Sequence, residues 1–255
     1  MPTFDDLALA YDSTIDWKSR LDREIPFLVQ NIGPGKKRVL DMACGSGRHA
    51  VALSKKGYAV QAFDNSSSMI NAAKELSNKA GTKTTFIIAN MMDISEVFKF
   101  NFDAIICLGN SLALLPDLEV LSRVISSVGQ LLSDNGVFIF QTLNFDEIDA
   151  TGFASFDSKT AVLDSGNEVI FSRQFEHPSI KSETTTLRLS TMVKENTDWQ
   201  EVVSRQKVLR LNIDILTRLL SQSGLAHLET YSDYAGNTFQ KESSRNIVMV
   251  ARKKN

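Results

Sequence analysis

Cysteine is scarce in this chain: Cys44 and Cys107 are the only two. Neither stands in a CxxC pair, which argues against a zinc knuckle or a dithiol redox centre and fits a reducing, cytoplasmic setting. No apolar run approaches the ~20 residues that a membrane-spanning helix needs. The opening MPTFDDLALAYD lacks a cationic segment followed by an apolar one, so no secretory signal is expected. Charge of neither sign dominates. A formal net charge of −2 gives none of the basic surplus that neutralises nucleic-acid phosphates. Repeats and low-complexity tracts are missing as well. With 43% hydrophobic and 23% charged residues, the expectation is an ordinary globular domain inside the cell.

What is present is an alternation. RVLDMA (38–43), YAVQAFD (58–64), KTTFIIA (83–89), FDAIICLG (102–109) and GVFIFQTL (136–143) read as strands, rich in β-branched and aromatic residues. Between them GRHAVALSKKG, SSSMINAAKELSNKAG and LEVLSRVISSVGQLLSDNG carry helical spacing, the second opening on capping serines and each ending near a glycine. This predicts an α/β, doubly wound, mostly parallel seven-stranded sheet with helices on both faces, closed by LAHLETY and RNIVMVARK. Residues 1–36 read as an N-terminal helical cap, with WKSRLDREIPFLVQNI broken at Pro26. EVIFSRQFEH, TTTLRLSTMVK and WQEVVSRQKVLRL alternate with period two, as antiparallel strands do. The expected organisation is therefore cap 1–36, α/β core 37–152, inserted antiparallel β-layer 153–211, and a closing helix with two strands over 212–255.

The stretch VLDMACGSGRHA (39–50) runs from a strand through a glycine turn into a helix. Gly45 and Gly47 let the backbone turn sharply and approach a ligand, and the following helix aims unpaired N–H groups into the same space. GSGRHA satisfies the loose G-x-G-x-x-G/A pattern. Asp64 lies 19 positions beyond Gly45, where a carboxylate grips the two hydroxyls of a ribose. That much serves a nicotinamide dinucleotide or S-adenosylmethionine (SAM) equally. Asp41 favours SAM. A carboxylate just before the glycines suits an ammonium and a sulfonium and repels a pyrophosphate. The plainer reading is that Asp41 orders the loop by accepting backbone N–H groups.

VLDMACGSGRHAVALSKKGYAVQAFDNSSSMI resembles the first two motifs of class I SAM-dependent methyltransferases, and ANMMDI (89–94) their third. FDAIICLGNSLALLPD (102–117) and LLSDNGVFIFQTLNFDEIDATG (131–152) resemble segments of the glycine and sarcosine N-methyltransferases. The resemblance covers about Tyr11 to Gly152. It implies SAM as cofactor, with Ala43, Gly45 and Gly47 along its methionine portion and Asp64 on its ribose. Asn65 and Met69 would flank the adenine, Asn90 and Met91 would meet its edge and face, and Leu108 to Asn110 would lie beneath the sulfonium. Tyr11 matches a tyrosine that closes over the cofactor. Arg20, with Arg23 as its competitor, matches an arginine that clamps the cofactor carboxylate. Where the glycine-specific enzymes hold the substrate carboxylate with an arginine, this chain has Leu143. Glycine is therefore a poor fit, and a more apolar acceptor or one anchored by the insert is expected.

Asn110 is the candidate catalytic residue on the acceptor side, because strand four ends there; its plainer role is to make the turn before Ser111. Asn144, Tyr234 and Phe239 are further candidates to line the acceptor site. Three histidines are available as bases. His49 reads as a helix-surface residue, His177 as a loop residue of the insert, and His227 as the decoration of a strand start. The absence of an NPPY- or DPPY-type segment after strand four argues against base amines as acceptors, and GKKR (35–38) and ARKK (251–254) read as solvated strand ends. The expected function is methyl transfer to a small molecule, favouring an amine nitrogen. The insert would act as lid and specificity element, and as a candidate contact in a homo-oligomer. No metal is called for. The rivals are an NAD(P)-dependent oxidoreductase, an RNA or tRNA methyltransferase, and a SAM-binding module without turnover.

Overall fold

Side chains on both faces of the central strands are apolar, so the strands can exist only between two layers of helix. The computed structural model describes residues 4–152, 155–163, 165–176, 182–195 and 198–253, and it shows that arrangement. The helices are α1 (Phe4–Ser13), α2 (Trp17–Ile32), α3 (Arg48–Lys55), α4 (Ser67–Ala80), α5 (Ile94–Val97), α6 (Leu118–Leu131), α7 (Phe145–Thr151) and α8 (Ile213–Gln222). The central sheet is built from β1 (Arg38–Met42), β2 (Ala59–Asp64), β3 (Thr85–Ile88), β4 (Phe102–Cys107), β5 (Leu132–Leu143), β10 (Leu225–Tyr231) and β11 (Asn246–Lys253). Its order is β10-β11-β5-β4-β1-β2-β3. The run from β3 to β5 is parallel, while β11 pairs antiparallel with both β5 and β10. Alternation sorts each strand between two cores. Leu40, Met42, Phe138 and Phe140 join α6 and α8 on one face; Val39, Val137 and Ile139 join α2, α3 and α4 on the other.

Two local expectations fail for instructive reasons. Pro26 does not break α2, which runs unbroken from Trp17 to Ile32. Its ring faces solvent, while Ile25, Phe27, Leu28 and Ile32 are buried. Their burial outweighs the missing hydrogen bond on the wet side. Nor does α6 stop at a glycine; it passes directly into β5 at Leu132. Gly129 lies inside α6 because a Cβ there would stand 2.9 Å from the Ser223 carbonyl oxygen. The glycine serves close packing against the turn after α8.

Between α7 and α8 the chain forms a separate antiparallel sheet of β6 (Lys159–Val162), β7 (Glu168–Glu176), β8 (Thr184–Glu195) and β9 (Asp198–Leu209), in that order. Three of these strands match the alternating segments; β6, at four residues, is too short to show its period. Val169, Phe171 and Val193 are buried against Ala10 and Tyr11 of α1. Phe175, Val208 and Leu209 join the α6/α8 core, with Phe175 edge-on to Phe145 at 5.3 Å between ring centroids. The insert is thereby fastened both to the N-terminal helix and to the start of α7. No helix among the described residues is long and apolar enough to cross a membrane.

Candidate active site

The carboxyl ends of β1, β2 and β4 lie at one edge of the sheet, where open α/β sheets take their ligands in a crevice, and the turn after β1 stands at that edge. Ala43, Gly45 and Gly47 all take positive φ, at 52°, 53° and 73°. The two glycines do different work. A Cβ at Gly45 would meet nothing within 4 Å, whereas one at Gly47 would stand 2.7 Å from Ala73 Cβ and 2.8 Å from Phe86 Cε1. Gly45 thus lines open space, and Gly47 lets α3 pack against α4 and β3. Asp64 ties β2 to this turn: its Oδ2 accepts the Gly45 N–H at 2.9 Å and its Oδ1 accepts the Ser66 N–H at 3.0 Å. Each oxygen keeps a further acceptor site for a ligand hydroxyl.

Asp41 lies under the same turn, 3% exposed, with Oδ2 buried and without a hydrogen-bond partner among the described residues. Burial, then the neighbouring Asp64 charge, push its pKa up to about 8, with the Ala50 backbone N–H offsetting part of the rise. A buried carboxylate oxygen without a donor is costly, and an arriving cation would satisfy it. The same burial and the two aspartates push the Cys44 and Cys107 thiols upward, so neither is a poised nucleophile.

The N-terminal helices cover the turn. Ser46 Oγ donates to Asp12 Oδ1 at 2.9 Å, and Arg48 Nη2 lies 3.8 Å from Asp12 Oδ2. Arg20 Nε donates to Glu24 Oε1 at 2.8 Å, its guanidinium lies over Trp17 at 5.0 Å, and its Nη2 would be 3.8 Å from a Cβ on Gly109. Arg20 therefore reaches the end of β4. The other oxygen of Glu24 is bonded to His49. This corrects the expectation for His49: it is 6% exposed and paired with a carboxylate 5% exposed, rather than a surface residue. Burial raises the pKa of Glu24, but the contacts with His49 and Arg20 outweigh it and hold the carboxyl below its ordinary range. Glu24 was missed in the sequence, although a charge inside REIPFLV, among residues that bury, is a visible signal.

At the end of β4, Gly109 and Asn110 both have positive φ. Gly109 N–H donates to Gln141 Oε1 at 3.0 Å, and Asn110 Oδ1 accepts the Leu143 N–H at 2.8 Å. Gln141 in turn donates to Asn246 Oδ1 at 3.0 Å, so a polar side chain within an apolar strand sets this edge. Asn110 carries the turn-making role, while its Nδ2 has no hydrogen-bond partner among the described residues. Leu108, 6% exposed, belongs to the core on the α2/α3 side.

The remaining candidates fall on the same edge or elsewhere. Asn65 is exposed beside Asp64, and Met69 is half-buried in the first turn of α4. Asn90 Oδ1 accepts the Met92 N–H at 3.0 Å, and Met91 packs against the core. Asn144 does not line a site: it is fully buried, and its amide donates to the carbonyls of Lys241 and Ser244. Arg23 is exposed. Tyr234 sets its ring edge-on to Phe27 at 5.6 Å, and its buried hydroxyl has no partner among the described residues. Phe239 packs against the α6/α8 core. His227 lies in β10, and His177 falls outside the described residues. Among the described residues no group of three His, Cys, Asp or Glu could hold a metal ion.

These features fit one kind of guest: hydroxyls for Asp64, an open cradle at Gly45, and a cation for the orphaned oxygen of Asp41. The Asp64 carboxylate beside the turn repels a pyrophosphate. A "Methyltransferase domain" family model matches residues 39–136. The glycine/sarcosine N-methyltransferase of Aphanothece halophytica is 27% identical over 95% of this chain and 86% of its own length. A SAM-dependent methyltransferase of Clostridium acetobutylicum superposes with a TM-score of 0.77 at 19% identity, covering 96% of this chain and 95% of the other. The SAM-bound amino pentose methyltransferase of Micromonospora echinaspora gives 0.71 at 15% identity, covering 100% and 99%.

Proposed function

We propose that the chain acts as a class I SAM-dependent methyltransferase, similar to the glycine/sarcosine N-methyltransferases, and that its small-molecule acceptor is methylated on an amine nitrogen. The observation that carries the site assignment is the pair of aspartates beside the glycine turn, Asp64 bonded to Gly45 and Asp41 with an oxygen awaiting a donor. In this reading Asp64 holds the ribose hydroxyls and Asp41 the ammonium, while Ala43, Gly45 and Gly47 line the methionine portion. Arg20, steadied by Glu24 and Trp17, clamps the carboxylate, and Tyr11 closes over the crevice. Asn65 and Met69 flank the adenine on one side, with Asn90 and Met91 on the other. Leu108 backs the floor beside Gly109.

When bound, SAM supplies a methyl group made electrophilic by its sulfonium. The protein's part is alignment, which can account for ~7–11 kcal/mol of barrier lowering. It must also receive the acceptor as a neutral amine. For an alkylamine of ordinary pKa ~10.4 at pH 7, losing the proton costs about 4–5 kcal/mol. No histidine is assigned as the base. We assign that work to burial under the insert and to polar groups at the end of β4, with Asn110 the acceptor-side residue. The net charge of −2 supports a small molecule over a nucleic acid. The two free thiols support a reducing, cytoplasmic location.

The test is transfer of tritium from methyl-labelled SAM to fractionated small metabolites, with amines and alcohols scored separately. Label in amine fractions is the expected result. Label confined to hydroxyl compounds would overturn the choice of nitrogen while leaving the class intact.

A further inference from the structure

The inward face of β7 breaks its own pattern. Side chains alternate along a strand, so Val169, Phe171, Arg173 and Phe175 share one face. The three apolar members are buried, and an arginine stands in their midst. Lys159 of β6 is paired in register with Phe171, which puts it on the same face and diagonal to Arg173. The Arg173 guanidinium lies 5.0 Å from the ring centre of Tyr11 and 4.4 Å from that of Phe156. Lys159 Nζ lies 5.3 Å from the Tyr11 ring. Both side chains are half-buried.

Among the described residues neither cation has a carboxylate partner; Glu201, Glu168 and Glu176 of this sheet pair with Arg188, Lys194 and Arg205 instead. Stacking on ring faces leaves the in-plane N–H donors of a guanidinium unused. Burial, and then the charges of Arg173 and Arg20, lower the pKa of Lys159. Like charges held together at a half-buried surface repel, and an arriving oxyanion turns that cost into charge-assisted hydrogen bonds.

The place of the cluster decides which oxyanion. Tyr11 is followed by Asp12, which accepts a hydrogen bond from Ser46 of the glycine turn. The Arg20 charge acts on both Tyr11 and Lys159, and Arg20 reaches Gly109 at the end of β4, so the cluster lies beside the covering helices rather than among Asp41, Gly45 and Asp64. We propose that Arg173 and Lys159 form a subsite for an oxyanion, a carboxylate or a phosphate ester, carried by the methyl acceptor. This rests on the methyltransferase reading above, and it assigns to the insert an anion-holding task that Leu143 cannot perform.

The probes are acetate, methyl phosphate and acetamide, titrated by NMR into protein saturated with S-adenosylhomocysteine (SAH) at low salt. Acetate or methyl phosphate should bind, and which is tighter separates the two sources; neutral acetamide should not. In the R173Q/K159Q double variant the anion should bind about tenfold more weakly or worse, as expected on losing hydrogen bonds to a charged group. SAH affinity should stay within about twofold, which also shows that the variant is folded. Arg173→Lys should recover part of the loss. Equal binding of anion by the double variant, equal binding of acetamide, or no anion binding to the wild-type complex would overturn the subsite. Joint loss of SAH and anion affinity in a folded variant would also overturn it, by assigning the cations to the cofactor. Failure of the wild type to bind SAH at all is a different result, which removes the methyltransferase reading itself.

Discussion

Asp64 Oδ2 accepts the backbone N–H of Gly45 at 2.9 Å, joining the end of β2 to the turn after β1 across 19 residues. The bond aims the carboxylate before any ligand arrives, which lowers the cost of ordering it on binding. Asp64→Ala should weaken SAH binding by at least about 1.5 kcal/mol, the lower range for hydrogen bonds to a charged group. Calorimetry on the variant, with its fold checked by circular dichroism, measures this. An unchanged Kd would remove Asp64 from the ribose.

Asp41 makes the unliganded protein sensitive to pH. Its folded pKa is raised from 3.8 to about 8, so the unfolded chain releases the proton first. The stability contributed by the neutral form is complete below about pH 4 and is lost as pH rises toward 8, with a slope of at most about 1.4 kcal/mol per pH unit. Denaturant titrations of the apo protein should show this decline, and Asp41→Asn should flatten it.

The same aspartate predicts a proton signal on binding. Pairing with the ligand ammonium favours the carboxylate, so SAH binding at pH 7 should release up to about one proton. The observed enthalpy should then vary with the ionisation enthalpy of the buffer in the wild type and not in Asp41→Asn.

Two glycines separated by one residue should respond differently. Gly47→Ala drives a Cβ to 2.7 Å from Ala73 and 2.8 Å from Phe86 and should cost about 1–3 kcal/mol of stability by overpacking, added to the left-handed strain of about 1–2 kcal/mol that both positions carry. Gly45→Ala meets nothing, so it should cost only the left-handed strain of about 1–2 kcal/mol. The new methyl enters the crevice, however, and SAH affinity should fall. Thermal melts paired with calorimetry separate the two effects.

Much of this site is visible in one dimension because its defining residues are close in the chain. Residues 39–50 hold the strand, the turn and the helix start, and Asp64 follows one helix later. The strands declare themselves because both faces must be apolar. What stays hidden depends on distant partners. His49 reads as a surface residue until Glu24, 25 positions away, is folded beside it. Asn144 could line a pocket until its amide is claimed by carbonyls 97 and 100 residues on. Pro26 reads as a break because periodicity does not weigh a lost bond against four buried side chains. Arg173 is plainly in an alternating strand, but only the register with Lys159 and the ring of Tyr11 mark it as unusual.

The Arg20–Glu24–His49 series predicts a selective defect. Glu24→Gln removes the charge that holds Arg20 Nε at 2.8 Å, and stability should fall by about 1–3 kcal/mol. If Arg20 clamps the amino-acid carboxylate, SAH binding should weaken about three- to tenfold, in the range of one weakened charged contact. Methylthioadenosine, which lacks that carboxylate, should bind as it does to the wild type. Equal weakening of both ligands would assign Glu24 a structural role only.

The most direct measurement is a crystal structure of the protein grown with SAH. The account predicts both ribose hydroxyls on the Asp64 carboxylate, the ammonium beside Asp41, and the chain of the amino acid passing over Gly45. A ligand bound elsewhere, or one whose ribose does not meet Asp64, would contradict it.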